Sequence, residues 1–101
     1  MSKNLATSKV LLENNLFKIT RWEFDSNQET GWHTHKMDYI VLPLKDGNLK
    51  IISKDLKEEI VKVEMDKPYF KKAGVYHNVI SHNLNFFAFL EIEFKENQDL
   101  I

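Results

Sequence analysis

Turn-forming residues punctuate this chain at intervals of about ten, the spacing of short strands joined by tight connections. Asn14-Asn15, Asp25-Ser26-Asn27-Gln28-Glu29, Lys45-Asp46-Gly47-Asn48, Lys54-Asp55-Leu56-Lys57, Asp66-Lys67-Pro68, Ala73-Gly74 and Asn83-Leu84-Asn85 each interrupt an apolar run. The runs between them favour aromatic and β-branched residues, as strands do. No helical pattern lies among them. The expectation is an all-β chain of roughly eight short strands, folded as a sandwich or barrel.

The expected strands are Val10-Leu11-Leu12, 16–24, a run through the Gly31–Tyr39 segment to Leu44, 49–53, 59–65, Tyr69-Phe70, 75–80 and 86–94. Residues 1–8 read as a loose polar arm and the tail from Glu96 as polar. Pro43 inside its run marks an edge strand or a bulge. Asp46-Gly47 is the strongest hairpin signal. In the last strand Leu90, Ile92 and Phe94 face one way and Glu91 and Glu93 the other.

At 101 residues the chain is expected to be one domain, 1–101, with its core over about 10–94. Fourteen basic against fifteen acidic residues, mixed along the chain, argue against nucleic acid as partner. There is no cysteine, which excludes disulfides, thiolate catalysis and thiolate metal sites. Any metal must be held by histidine nitrogen and oxygen ligands. No apolar run reaches the length of a membrane span and no signal-peptide core opens the chain. The expectation is a cytoplasmic protein without a membrane partner.

Two of the four histidines, His33 and His35, stand at i and i+2. On a strand both imidazoles point to one face, as a metal site requires. His77, three residues after Gly74, offers a third from a distant strand. Ligands gathered in this way suit the mouth of a β-barrel. His82 has the opposite parity and is left out, while Met37 reads as filling. Parity does not settle whether Arg21 or Trp22 faces inward. An inward Arg21 would suit a carboxylate substrate. The plainer arrangement is a surface arginine beside a core tryptophan.

The segments ETGWHTHKMDYIVLPLKDG and YFKKAGVYHNV resemble the two-part motif of small single-domain cupins, among them ones associated with β-alanine degradation. The resemblance covers roughly residues 10–94. It implies a small β-barrel of the double-stranded β-helix or jelly-roll kind with a divalent transition metal (iron, manganese, nickel or zinc) near its mouth. By position His33, His35 and His77 match its histidine ligands. The usual glutamate does not match, because Tyr39 stands in its place. Two arrangements remain open. Tyr39 lines the pocket of a three-histidine site as an acid, base or weak ligand, or a β-bulge turns Asp38 inward as the carboxylate. The second motif carries Lys72 and Ser81 where a proline and an asparagine are usual, and Asn78 should face away from the site.

The function expected is a small metal-dependent enzyme (an oxygenase, lyase or isomerase) acting on a small polar molecule, with Tyr39 as the catalytic candidate. The alternative is a non-catalytic module that binds or senses a small molecule, with or without metal. In either case the chain is expected to form a homodimer.

Overall fold

The computed structural model describes residues 4–95. Nine strands follow in order: β1 (Thr7–Glu13), β2 (Phe17–Phe24), β3 (His33–Thr34), β4 (Tyr39–Pro43), β5 (Gly47–Ser53), β6 (Glu58–Val63), β7 (Tyr69–Lys71), β8 (Tyr76–Ser81) and β9 (Phe87–Phe94). None of the described residues is helical. The polar tail from Glu96 lies outside them. The arm expected over residues 1–8 is shorter than its composition suggested, because Thr7 and Ser8 already pair with Glu23 and Trp22.

The strands form two antiparallel sheets, β1-β2-β9-β4-β7 and β3-β8-β5-β6. Their edges are not joined by strand pairing, so the arrangement is an open two-sheet jelly roll and not the closed barrel expected. The extra strand arises because the run through the histidines breaks over Lys36-Met37-Asp38. β3 pairs with β8 in one sheet, and β4 enters the other between β9 and β7. Pro43 ends β4 and is buried there opposite Phe89, and the next N–H, that of Leu44, donates to the Ala88 carbonyl of β9.

Asp46-Gly47 does not make a hairpin. The strands it joins, β4 and β5, belong to different sheets. Gly47 is required there for space. A Cβ at this position would stand 2.7 Å from Asn83 Oδ1 and 2.8 Å from the Phe87 ring. Phe87 is 1% exposed and has nowhere to go. Gly47→Ala is therefore expected to destabilise the protein by about 1–3 kcal/mol, the usual cost of overpacking. An unchanged urea midpoint would contradict this.

Register sorts the inward side chains of the larger sheet into rows. Lys18, Glu93, Tyr39 and Lys71 stand side by side across β2, β9, β4 and β7. Thr20, Glu91, Val41 and Tyr69 make the next row, followed by Trp22, Phe89 and Pro43, and then Phe24 and Phe87. The facing sheet grades the same way, from His33, His77 and Ser53, through Val79 and Ile51, to Ser81, Leu49 and Val61. One end of the sandwich is thus apolar and the other polar.

The apolar end holds the core. Phe24, Leu49, Val63, Phe87 and Phe89 are all buried. The Phe24 ring sits 5.4 Å from Phe89 and 6.3 Å from Phe87, at tilted angles that aromatic pairs favour. Each such side chain contributes about 1.5–3 kcal/mol by leaving water. Packing at this end leaves the polar end free for a site.

Candidate metal centre

The short strand β3 is held to β8 by more than its own pairing. Thr30 N–H donates to the Val79 carbonyl, Gly31 N–H to Asn78 Oδ1 at 3.0 Å, and His35 N–H to the Val75 carbonyl. Asn78 Nδ2 in turn donates to Glu29 Oε1. As expected from its parity, Asn78 faces away from the histidines and ties down backbone. Gly31 adopts φ +86°, a conformation costly to any residue with a Cβ, which turns its carbonyl back toward the His33 ring. His33 Nδ1–H donates to that oxygen at 2.8 Å. Nε2 of His33 therefore presents its lone pair, toward His35.

His33 and His77 are register partners, and His35 lies just beyond the end of β3. The three rings meet edge to face, with centroids 4.6 to 5.1 Å apart. His33 Nε2 and His35 Nε2 are 2.9 Å from one another. Two nitrogens bound at right angles to one ion, each about 2.1 Å from it, would stand about 3.0 Å apart. His77 Nε2 is buried and has no hydrogen-bond partner. A buried imidazole nitrogen left unpaired costs about 1–3 kcal/mol unless something accepts its lone pair. One ligand nitrogen from each of the three residues falls within a single 4.8 Å cluster.

Electrostatics keeps the pair on either side of His33 uncharged. Burial first, then the neighbouring histidines, push His35 down to about 3. Burial, His33 and the charge of Lys71 push His77 down to about 4. Both rings are neutral at neutral pH, the form in which imidazole binds metal. The donor set, the lone pair prepared by Gly31 and the orphaned His77 nitrogen all fit a divalent transition metal. His33, His35 and His77 would hold it.

Tyr39 occupies the inner face, where the resemblance led one to look for a glutamate. Its ring stacks on His35 with centroids 3.9 Å apart and planes at 17°. Burial, then Glu91, Tyr69 and Glu93, raise its hydroxyl well above the ordinary phenol range. The phenol stays protonated and can donate a hydrogen bond, but it cannot serve as a base near neutrality. Asp38 is not turned inward. It is exposed, and its Oδ1 accepts from Ala73 N–H at 2.8 Å. Tyr39 thus faces the histidine cluster and Asp38 does not.

The carboxylates near the cluster come from β9. Glu93 is the register partner of Tyr39, and Glu91 lies one row deeper. Glu91 Oε2 is 3.9 Å from His35 Nε2, and Glu93 Oε2 is 4.0 Å from His35 Nδ1. With His35 neutral these approaches are not ion pairs. Burial, then the charge of Glu93, push Glu91 up to about 7, against hydrogen bonding from Trp22 and the charge of Lys18. Neither glutamate stood out among the candidate residues. The alternation along β9 separates them from Leu90 and Ile92, but apolar-in patterning assigns the wrong face to the interior.

Arg21 and Trp22 divide as the plainer arrangement has it. Arg21 is on the outer face, its Nε donating to Glu23 at 2.8 Å, and Trp22 packs against the core. His82 is exposed and stands clear of the cluster.

No family model matches the chain. It is 37% identical over 90 residues to the β-alanine degradation protein BauB of Pseudomonas aeruginosa, covering 89% of this chain and 94% of that protein. A crystal structure of a cupin domain from Bordetella pertussis superposes with a TM-score of 0.90 at 35% identity, over 95% of this chain and 99% of that one. An RmlC-like cupin with a double-stranded β-helix fold from Methanocaldococcus jannaschii shares the fold at TM-score 0.75 and 11% identity, over 96% of this chain and 86% of that one. With relatives this similar along nearly their whole length, and with the histidines of both motifs gathered by the neighbouring strands β3 and β8 at the polar end of a jelly roll, the chain belongs to the cupins.

Proposed function

We propose that the protein binds one divalent transition metal through His33, His35 and His77 and acts on a small polar molecule at that ion. The observation that carries this reading is the buried, unpartnered Nε2 of His77, on a ring that meets those of two other histidines edge to face. Bound there, the metal would supply Lewis-acid polarisation to an oxygen atom of the substrate.

The chain's own residues define what surrounds that ion. Tyr39, held flat against His35, keeps its proton and offers a hydrogen-bond donor. Glu91 shares the lining of a small cavity with Tyr39, Tyr69 and His77, and its raised pKa of about 7 lets it hold a proton near neutrality. The cavity encloses about 30 Å³, enough for water but not for an organic substrate. A substrate must therefore meet the site from its open side.

Elemental analysis of protein purified without chelator, followed by reloading of chelator-treated protein, tests the reading. One equivalent of Fe²⁺, Mn²⁺, Ni²⁺ or Zn²⁺ per chain, with a rise in Tm on reloading, is expected. No uptake of any of the four would overturn it. A second reading, a binding module without turnover, draws on Tyr39 in place of the usual carboxylate. Metal-loaded protein that binds but never converts small acids would favour it.

A further inference from the structure

β6 and β7 are the unpaired edges of the two sheets on one side of the sandwich. A cleft of about 400 Å³ involves both strands, walled by Ile51, Val61, Val63, Pro68 and Tyr69. That volume lies within the range of small-molecule sites, about 300–1,000 Å³. Ile51, Tyr69 and Lys71 line both this cleft and the small cavity beside His77. The cleft thus adjoins the small cavity beside His77, and Lys71 stands where the two meet.

Lys71 is the register partner of Tyr39, so its side chain leaves the strand on the inner face. Its Nζ lies 5.8 Å from the centre of the Tyr69 ring. Among the described residues no carboxylate is within salt-bridge distance of it, whereas Lys50, Lys57, Lys67 and Lys95 each have one. Charge around the cleft is one-sided as well. Lys62, Lys67 and Lys71 line it with a single acid, Glu64, which is paired to Lys67. A cation that faces a site with its hydrogen-bonding capacity free, beside apolar walls, meets the needs of an anion with a short carbon chain.

We propose that the cleft binds a small aliphatic carboxylic acid, with Lys71 holding the carboxylate at the junction with the histidine cavity and Ile51, Val61 and Tyr69 packing against the chain. The proposal names the ligand class of the site described above and rests on that reading of the histidine cluster. It assigns Lys71 a role in recognition, separate from metal binding.

The probe is butyrate, compared with butyramide, which keeps the shape and loses the charge. Binding is followed by amide chemical-shift changes in chelator-treated and in metal-loaded protein. Butyrate is expected to perturb residues around His77 and Tyr69, and butyramide is not. Lys71→Met should weaken butyrate at least about tenfold, the effect of losing one charge-assisted hydrogen bond. Lys71→Arg should stay within about threefold, since the charge and donors remain. Metal uptake should be equal in all three proteins. Lys71 is exposed, and an unchanged Tm would exclude misfolding as the cause. Equal binding of butyrate by Lys71→Met, equal binding of butyramide, or no butyrate binding in either form would overturn the proposal. If no metal is taken up but butyrate still binds through Lys71, the metal reading fails and this one stands.

Discussion

His77→Ala is expected to abolish metal binding while leaving the metal-free fold nearly as stable as before. The first half follows from coordination. Outer-shell changes around a metal cost about 10–100-fold in affinity, and removing one of the three histidines proposed to hold it should exceed that. The second half follows from the unsatisfied nitrogen. Cutting away the imidazole opens a hole beside Val79 and Ile51, but it also removes a buried polar atom with no partner. The two effects oppose one another, each worth about 1–3 kcal/mol. A core truncation such as Phe24→Ala has no such offset and should cost about 3–5 kcal/mol. Isothermal titration with Zn²⁺, beside urea denaturation of the metal-free forms, measures both halves. A variant that keeps its metal affinity but loses several kcal/mol would make His77 a structural residue.

Glu93→Gln gives that test an internal scale. His33 donates through Nδ1 to Gly31, so its Nε2 accepts, and the 2.9 Å contact between the two Nε2 atoms is bridged in metal-free protein by a proton on His35. A metal held by His35 Nε2 would leave that proton on His35 Nδ1, 4.0 Å from a Glu93 carboxylate oxygen. Neutralising Glu93 should therefore weaken metal about tenfold, a smaller loss than that from His77→Ala.

How far the chain could be read before folding depends on which side of a strand a residue takes. Strand positions followed from turn residues, and His33, His35 and His77 come together as their spacing and a resemblance to known motifs suggested. Tyr39 also faces the site. Two kinds of information were missing. The apolar run from Tyr39 onward hid the break over Lys36-Met37-Asp38, because the chain changes sheets there without glycine or proline. The second concerns β9 and β7. Leu90 and Ile92 are apolar yet face outward, while Glu91, Glu93 and Lys71 face the site. Strand alternation separates the two faces, but only the partner strands say which is inside. The usual rule of apolar-in fails at the end of the sandwich where polar groups gather. The Asp46-Gly47 pair misled for a related reason. Its glycine is there to clear Phe87 and does not close a hairpin.

The same buried groups predict how stability responds to acid. Metal-free protein should be most stable near pH 6.5 and weaken as the pH falls toward 4. His35 and His77 titrate near 6.5 when unfolded but at about 3 and about 4 when folded, so below 6.5 the unfolded chain binds two protons that the folded chain refuses. A depressed histidine pKa contributes stability that is present above the unfolded value and is lost as the pH drops through this window. Glu91 acts in the opposite sense. Its folded pKa of about 7 exceeds the ordinary 4.5, so between those values the folded state holds a proton that the unfolded state has released. Its contribution is present at low pH and fades as the pH rises through 7. Between pH 4.5 and 6.5 the two histidines outweigh the glutamate by one net proton, giving a slope of about 1.4 kcal/mol per pH unit. Glu91→Gln removes the opposing proton and should steepen the slope to about 2.8 kcal/mol per pH unit. Urea midpoints followed by the fluorescence of Trp22 and Trp32 across this range measure both slopes. Stability that is flat from pH 4.5 to 6.5, or a Glu91→Gln variant with a shallower slope than the parent, would mean that the histidines are not held neutral by burial.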